Sequence, residues 1–189
     1  MKYTIRKASL GDAEKLNYLL TLLIRDEKQY DPNINENFVV DKFYEDIILK
    51  NDNVIFVSVM DNNIVGYLYG YLLNEGDVCL NKTTKIDAIY VLDEYRHLGI
   101  GSSLINEFKS WSKENDVKYI EIQVFNDNIS AFDLYNKEGF KKLKSTLINR
   151  IWNNILFILE YYYILFSSDT NVLVIPNHIN VVVECEMLL

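Results

Sequence analysis

A glycine-containing segment near the middle of the chain has the residues that an anion-binding turn needs. Residues 96–101 read Arg-His-Leu-Gly-Ile-Gly, and Ser102 follows. The apolar pattern predicts a strand before this segment and an amphipathic helix after it. Because the two glycines carry no side chains, the backbone N–H groups at the helix start could approach a ligand closely, and the helix dipole favours negative charge there. The segment, with the Ser102 hydroxyl, therefore predicts a diphosphate site.

The spelling of this segment excludes two common phosphate-binding motifs. A Walker loop ends in Gly-Lys-Ser/Thr, whereas Gly101 is followed by Ser102 and Ser103. A dinucleotide-binding turn needs three glycines in the order G-x-G-x-x-G, and only two occur here. The diphosphate therefore belongs to another class of ligand.

A second motif follows about 30 residues later and reads N-x-x-A-x-x-x-Y-x-x-x-G-F over residues 128–140. Together the two motifs resemble the GNAT-type N-acetyltransferase superfamily, whose signature Q/R-x-x-G-x-G/A is complete in residues 96–101. The resemblance covers roughly residues 3–147. It implies acetyl-CoA as co-substrate and no metal.

In such proteins the pantetheine arm of acetyl-CoA runs beside the strand that precedes the turn and pairs with its main chain. An ordinary core strand is the alternative for these residues, and both can hold because the contacts use the backbone. Arg96 is expected to offer its N–H and charge to the phosphates, while His97 is expected to face solvent or phosphate. The residues that the resemblance implies for acetyl-CoA binding are Ile89, Tyr90, Val91, Arg96, His97, Leu98, Gly99, Ile100, Gly101, Ser102, Asn128 and Ala131.

Two residues are the candidates for proton transfer. Tyr135 matches the family's tyrosine that donates a proton to the departing thiolate, with a packed core aromatic as the alternative. Asp87 is the candidate general base, with a strand residue paired to Lys85 as the alternative. Glu121 and Tyr90 are weaker candidates for the base.

The reaction implied is transfer of the acetyl group of acetyl-CoA to a primary amine of a small molecule or peptide by direct attack. A non-catalytic acetyl-CoA-binding sensor or regulatory module is the alternative, and another acyl-CoA remains open as donor. Asp26, Glu27 and Asp31 form an acidic patch that could attract a cationic amine, although solvated surface charge is the favoured explanation.

The elements that must position these residues follow from the apolar spacing. The predicted order is β-α-α-β-β-β-α-β-α-β, a mixed α/β (α+β) sheet flanked by helices, as in the GNAT-like acyl-CoA N-acyltransferase fold. The strands on either side of the helix after residue 101 should be parallel. The ranges are a strand at 3–7, a helix with Leu16, Leu19, Leu20 and Leu23 on one face, a helical pattern over 38–48, a hairpin over 54–71, a strand at 85–92, a helix with Leu104, Ile105, Phe108 and Trp111 on one face, a strand at 119–125 and a helix at 128–137 ending at Gly139.

The last part of the chain departs from this pattern. We predict an N-acetyltransferase domain over 1–147 and an atypical C-terminal segment over 148–189, which completes the sheet or forms a dimer arm. Charged residues interrupt its apolar run at 148–166, so no membrane span is predicted. Strands are expected at 172–175 and 181–186.

Composition and charge restrict the classes of binding partner and the cellular compartment. A formal net charge of −8 over 189 residues, with scattered Lys and Arg, argues against a nucleic-acid partner. Cys79 and Cys185 lie outside any metal-ligand spacing and are predicted to be buried thiols. The first residues contain no apolar signal-peptide run, so we expect a cytoplasmic protein.

Overall fold

A computed structural model of the chain describes residues 2–73, 76 and 79–149. Its compact unit is Met1–Lys142. The elements, numbered in chain order, are β1 Thr4–Lys7, α1 Ala13–Glu27, α2 Phe43–Ile48, β2 Asn53–Met60, β3 Asn63–Leu72, β4 Thr83–Val91, α3 Ile100–Glu114, β5 Tyr119–Ile122 and α4 Ile129–Lys137.

The strands form one five-stranded sheet in the order β1-β2-β3-β4-β5. The first four strands pair antiparallel, and β5 pairs parallel to β4. Since α3 connects β4 to β5, this pair is the crossover that the glycine turn and its helix predicted. The mixed sheet flanked by helices is therefore confirmed.

The hairpin between β2 and β3 turns at two residues with left-handed backbone. Asp61 has φ 48° and Asn62 has φ 62°, which short polar side chains tolerate and which suits a tight two-residue turn. This confirms the predicted hairpin and explains why its turn is polar.

The pairing of β4 changes at Asp87. On β3, Tyr69 lies opposite Ala88 whereas Gly70 lies opposite Ile86, so Asp87 is one extra residue on β4. The parallel ladder to β5 ends at the same place, with the pair Ile86 and Ile122. An extra residue of this kind bends a strand, and beyond it β4 and β5 separate.

Each face of the sheet carries its own apolar cluster. Leu16 and Leu19 of α1 and Tyr44 of α2 are fully buried on one face. The predicted apolar face of α3 packs on the other, where Leu104 and Phe108 are fully buried. Burial of side chains this large supplies most of the stabilisation that positions the helices.

Two elements are shorter than predicted. The helical pattern over 38–48 is helical only from Phe43, because Lys42 has a left-handed φ of 53° that a right-handed helix cannot include. Phe38 and Val39 are consequently exposed, at 52% and 60%. The strand predicted to reach residue 125 ends at Ile122, because the bend in β4 removes its pairing partner.

Other expectations fall on exposed or undescribed residues. Cys79 is exposed, so the prediction of a buried thiol is wrong for it. In the described part of the chain, no helix is long and apolar enough to cross a membrane. Most of the predicted segment 148–189, with its expected strands and dimer arm, lies outside the described residues.

Candidate active site

The turn before α3 is shaped to bind an anion. His97 and Gly99 have left-handed φ values of 63° and 83°, and the first intrahelical bond runs from Ser103 N–H to the Gly99 carbonyl at 3.0 Å. The N–H groups of the three residues before Ser103 lie ahead of that bond and have no partner within the helix. These donors, at the positive end of the helix, fit a diphosphate.

Gly101 also sets how closely α3 and α4 approach each other. A Cβ at this position would lie 3.0 Å from Leu134 Cδ2, so a side chain would push the α4 leucine away. The carboxylate of Glu138 accepts hydrogen bonds from Lys109 at 2.9 Å and from Ser102. Burial acts to raise the pKa of Glu138, but these donors hold it below its usual value. The Ser102 hydroxyl that was expected to reach a phosphate therefore contacts Glu138.

Arg96 is directed away from the turn. Its N–H donates to the Asp93 carbonyl at 3.1 Å, and its Nε donates to the Val91 carbonyl at 2.9 Å. Its guanidinium pairs with Asp93 at 2.7 Å and with Asp26 at 3.2 Å. The N–H and the guanidinium of Arg96, which were expected to reach phosphate, are both engaged elsewhere. The guanidinium ties the turn to the end of α1 through Asp26.

The gap between the separated ends of β4 and β5 is a narrow cleft of about 90 Å³. It brings together five of the residues predicted to be catalytic or to bind acetyl-CoA, namely Asp87, Ile89, Asn128, Ala131 and Tyr135. Tyr90, Val91 and residues 96–102 lie outside its lining. The full lining is Leu23, Glu27, Ile86, Asp87, Ala88, Ile89, Ile122, Gln123, Val124, Phe125, Asn128, Ala131 and Tyr135.

Tyr135 lies in the wall of the cleft and is only 7% exposed. Its ring packs edge-on against Phe140, with ring centres 5.9 Å apart. Burial, and then the negative charge of Glu27, raises the pKa of Tyr135 well above its usual value, so the hydroxyl keeps its proton at neutral pH. Among the described residues none hydrogen-bonds to this hydroxyl, which leaves it available to a ligand.

Asn128 orders the start of α4. Its Oδ1 accepts a hydrogen bond from the N–H of Ala131 at 3.1 Å, the usual contact of a helix N-cap. Both residues also line the cleft. Asn128 was expected to bind acetyl-CoA, and the contact that the structure shows is the one that orders the start of α4.

The candidate bases have different surroundings. Asp87 forms an ion pair with Lys85 at 3.1 Å, and its side chain is 38% exposed. The Tyr90 hydroxyl donates to Asp26 at 3.1 Å, and burial together with the Asp26 charge raises the pKa of Tyr90, so it is protonated at neutral pH and unsuited to act as a base. Glu121 lies on β5 opposite Lys85 and does not line the cleft.

Glu27 is the cleft residue that the sequence interpretation undervalued. It ends α1 and lines the cleft with Leu23. Burial, followed by the charges of Asp26 and Asp87, raises its pKa. Its spacing was the available signal, because Leu16, Leu20, Leu23 and Glu27 follow one another at four, three and four residues and so share one helix face.

The rest of the acidic patch is engaged elsewhere. Asp26 pairs with Arg96, and Asp31 accepts a hydrogen bond from the N–H of Asn33 at 2.8 Å. Within residues 2–73, 76 and 79–149, no group of three His, Cys, Asp or Glu side chains could hold a metal ion. A tyrosine and two carboxylates line the cleft, and side chains of these types can donate and accept protons.

Comparisons with known proteins agree with this geometry. The model of the acetyltransferase (GNAT) family matches residues 19–140. An N-alpha-acetyltransferase of Sulfurisphaera tokodaii is 28% identical over 151 residues, covering 76% of this chain and 83% of that protein. A spermidine N(1)-acetyltransferase of Thermoplasma acidophilum is 26% identical, covering 75% of this chain and 89% of that protein.

The fold is also found among solved structures. A mutant of the BH1408 protein of Bacillus halodurans superposes with a TM-score of 0.71 at 22% identity, covering 79% of this chain and 99% of that chain. The family match spans both motifs and the whole cleft, and the family uses acetyl-CoA. The chain belongs to the acetyltransferase (GNAT) family and is an enzyme that acetylates amines.

Proposed function

We propose that this protein transfers the acetyl group of acetyl-CoA to a primary amine of a small molecule or peptide, which attacks the thioester directly. The observation that carries the proposal is the separation of β4 from β5 beside the anion-binding turn. It leaves a cleft that is lined by a tyrosine and two carboxylates. A molecule with a diphosphate and a long thin arm that ends in a thioester fits this arrangement.

In the proposed complex the diphosphate lies against the N–H groups at the start of α3. The pantetheine arm enters between the strands and pairs with the side of β4 that β5 leaves, at Ile89 and Tyr90, as an added strand would, while the Val91 carbonyl accepts a hydrogen bond from Arg96. Asn128 and Ala131, at the start of α4, lie on the opposite wall. The acetyl group then lies in the cleft near Asp87, where the ladder ends.

Proton transfer is assigned to the side chains in the cleft. The Tyr135 hydroxyl hydrogen-bonds to the sulfur and supplies a proton as the carbon–sulfur bond breaks. A raised pKa suits this role, because the phenol remains protonated until charge develops on the sulfur. Glu27 and Asp87 are the carboxylates that can take a proton from the attacking ammonium.

The acceptor is proposed to be cationic. The relatives named above are described as acting on α-amino groups and on spermidine, and both carry ammonium charge at neutral pH. Two carboxylates in the cleft and a net charge of −8 favour a cation over an anion. A cytoplasmic location and a dimer through residues 148–189 stay predictions from the sequence.

Thiol release from acetyl-CoA, measured over polyamines, aminoglycosides, amino acids and peptides with free N-termini, tests the proposal. We expect turnover with at least one cationic amine and a faster rate with acetyl-CoA than with propionyl-CoA or succinyl-CoA. A reaction without acceptor is the control for hydrolysis. Binding of acetyl-CoA with no turnover on any of the four classes would contradict the proposal.

A further inference from the structure

The cleft contains two carboxylates, and their surroundings differ. Asp87 is paired with Lys85 at 3.1 Å. The side chain of Glu27 makes no hydrogen bond and no ion pair with any described residue, although it is partly buried in the same cleft. A carboxylate that already holds an ammonium partner is a poorer proton acceptor than one without a partner.

The backbone around Glu27 is held from two sides. Asp26, the preceding residue, accepts hydrogen bonds from Arg96 at 3.2 Å and from the Tyr90 hydroxyl at 3.1 Å, which ties the end of α1 to β4 and the anion-binding turn. Tyr30 stacks on Phe125, the residue three positions beyond β5, with ring centres 5.9 Å apart. The end of α1 and the residues just after it therefore contact both sides of the cleft, with Glu27 between the two attachments.

Burial and the charges near Glu27 raise its pKa in a direction that suits proton transfer. Burial acts most strongly to raise its pKa, and the negative charges of Asp26 and Asp87 raise it further. A carboxylate with a raised pKa is a stronger base when it is ionised. Its pKa then lies closer to that of the ammonium that it must deprotonate. Glu27 and Tyr135 also lie near enough for the charge of one to affect the other, so the base and the acid share one small space.

We infer that Glu27 is the general base of the reaction and that Asp87, paired with Lys85, is a positioning residue that acts on Glu27 through its charge. This rests on the proposed function. An N–H bond of the bound ammonium breaks, and its proton passes to a Glu27 oxygen directly or through one water. The freed nitrogen lone pair then forms a bond to the thioester carbon.

The carbon–sulfur bond breaks, its electron pair stays on sulfur, and the sulfur receives a proton from Tyr135. The second nitrogen proton is lost as the amide forms and restores Tyr135 through solvent. Glu27 releases its own proton to solvent, so one ammonium and one thioester give one amide, one thiol and one proton.

The test is the pH dependence of kcat/KM between pH 5 and 9 for the wild type, Glu27→Gln and Asp87→Asn. An ionised base is required, so the wild-type rate rises with pH through the raised pKa of Glu27. Glu27→Gln should lower kcat/KM by about 100-fold or more and remove this rise, with acetyl-CoA affinity unchanged within about twofold. Asp87→Asn should keep the rise but move it to lower pH, because removing a nearby negative charge lowers the pKa of Glu27.

Glu14→Gln is the matched control, since it makes the same change on the same helix at an exposed residue that does not line the cleft. It should keep the wild-type rate and profile. Circular dichroism checks that each variant is folded.

If the wild type is active and Glu27→Gln keeps both its rate and its profile, the role of Glu27 is refuted while the proposed function stands. If the rise of kcat/KM with pH disappears in Asp87→Asn but only shifts to another pH in Glu27→Gln, the base is Asp87 and the inference is overturned. A wild type inactive on every amine refutes the proposed function, and the inference with it.

Discussion

Replacing Tyr135 with phenylalanine should separate catalysis from stability. The change removes one oxygen that no described residue hydrogen-bonds, while the ring that packs against Phe140 stays. The free energy of unfolding should therefore change by less than about 0.5 kcal/mol, as it does when no native contact is lost. Loss of a positioned proton donor should lower kcat by about 100-fold, or about 2.7 kcal/mol in activation free energy.

Tyr67→Phe is the matched control for this variant. Tyr67 is also buried, but its hydroxyl accepts a hydrogen bond from Tyr44 at 3.1 Å, and the residue does not line the cleft. It should lose about 1 kcal/mol of stability and keep its kcat. Thiol release gives kcat, calorimetric titration gives the affinity for acetyl-CoA, and urea unfolding gives stability. Full activity in Tyr135→Phe, or loss of activity only in proportion to unfolding, would refute the proposed role.

Three further changes test the fold and the turn. Gly70→Ala should destabilise the protein by about 1–3 kcal/mol in urea unfolding, because the alanine Cβ would lie 2.5 Å from a Phe108 ring atom. An unchanged midpoint of urea unfolding would contradict this packing. Asp12→Asn should cost about 1–2 kcal/mol at pH 7, because Arg6 donates to both Asp12 oxygens, at 2.7 and 2.9 Å. Since Arg6 holds the pKa of Asp12 well below its usual value, this stabilisation is present above about pH 4 and lost as the pH falls further, so the two proteins should converge in acid. Gly99→Ala should cost about 1 kcal/mol, since its φ is 83°, and should weaken acetyl-CoA binding measured by titration; unaltered affinity would place the diphosphate elsewhere.

Much of the fold could be predicted because local pattern and tertiary packing agree. The leucines of α1 and the apolar face of α3 are spaced so that only a helix can bury them together, and both helices form as expected. The shortened α2 could not be foreseen in the same way. Its apolar residues have helical spacing, but the left-handed backbone at Lys42 depends on contacts made by the rest of the chain.

The candidate site was predictable where a backbone geometry requires particular residues. Gly99 has a left-handed φ and Asn128 caps a helix, and both conditions restrict which residues can stand there. The surroundings of Arg96 were harder to predict, because its guanidinium contacts Asp26, 70 residues earlier in the chain. The surroundings of Glu27 were harder because distant parts of the chain form the cleft that it lines. Charge and spacing suggest that such a side chain is available, but only the folded structure shows which partner it meets.

The extra residue in β4 also creates a length of sheet edge in the interior of the molecule. Exposed edges commonly recruit strands from other chains and lead to aggregation, which proteins prevent by covering or charging them. Here the end of α1 lies over the gap, attached to one side through Arg96 and to the other through Phe125. We expect this cover to keep the edge that β5 leaves free from pairing with strands of other chains.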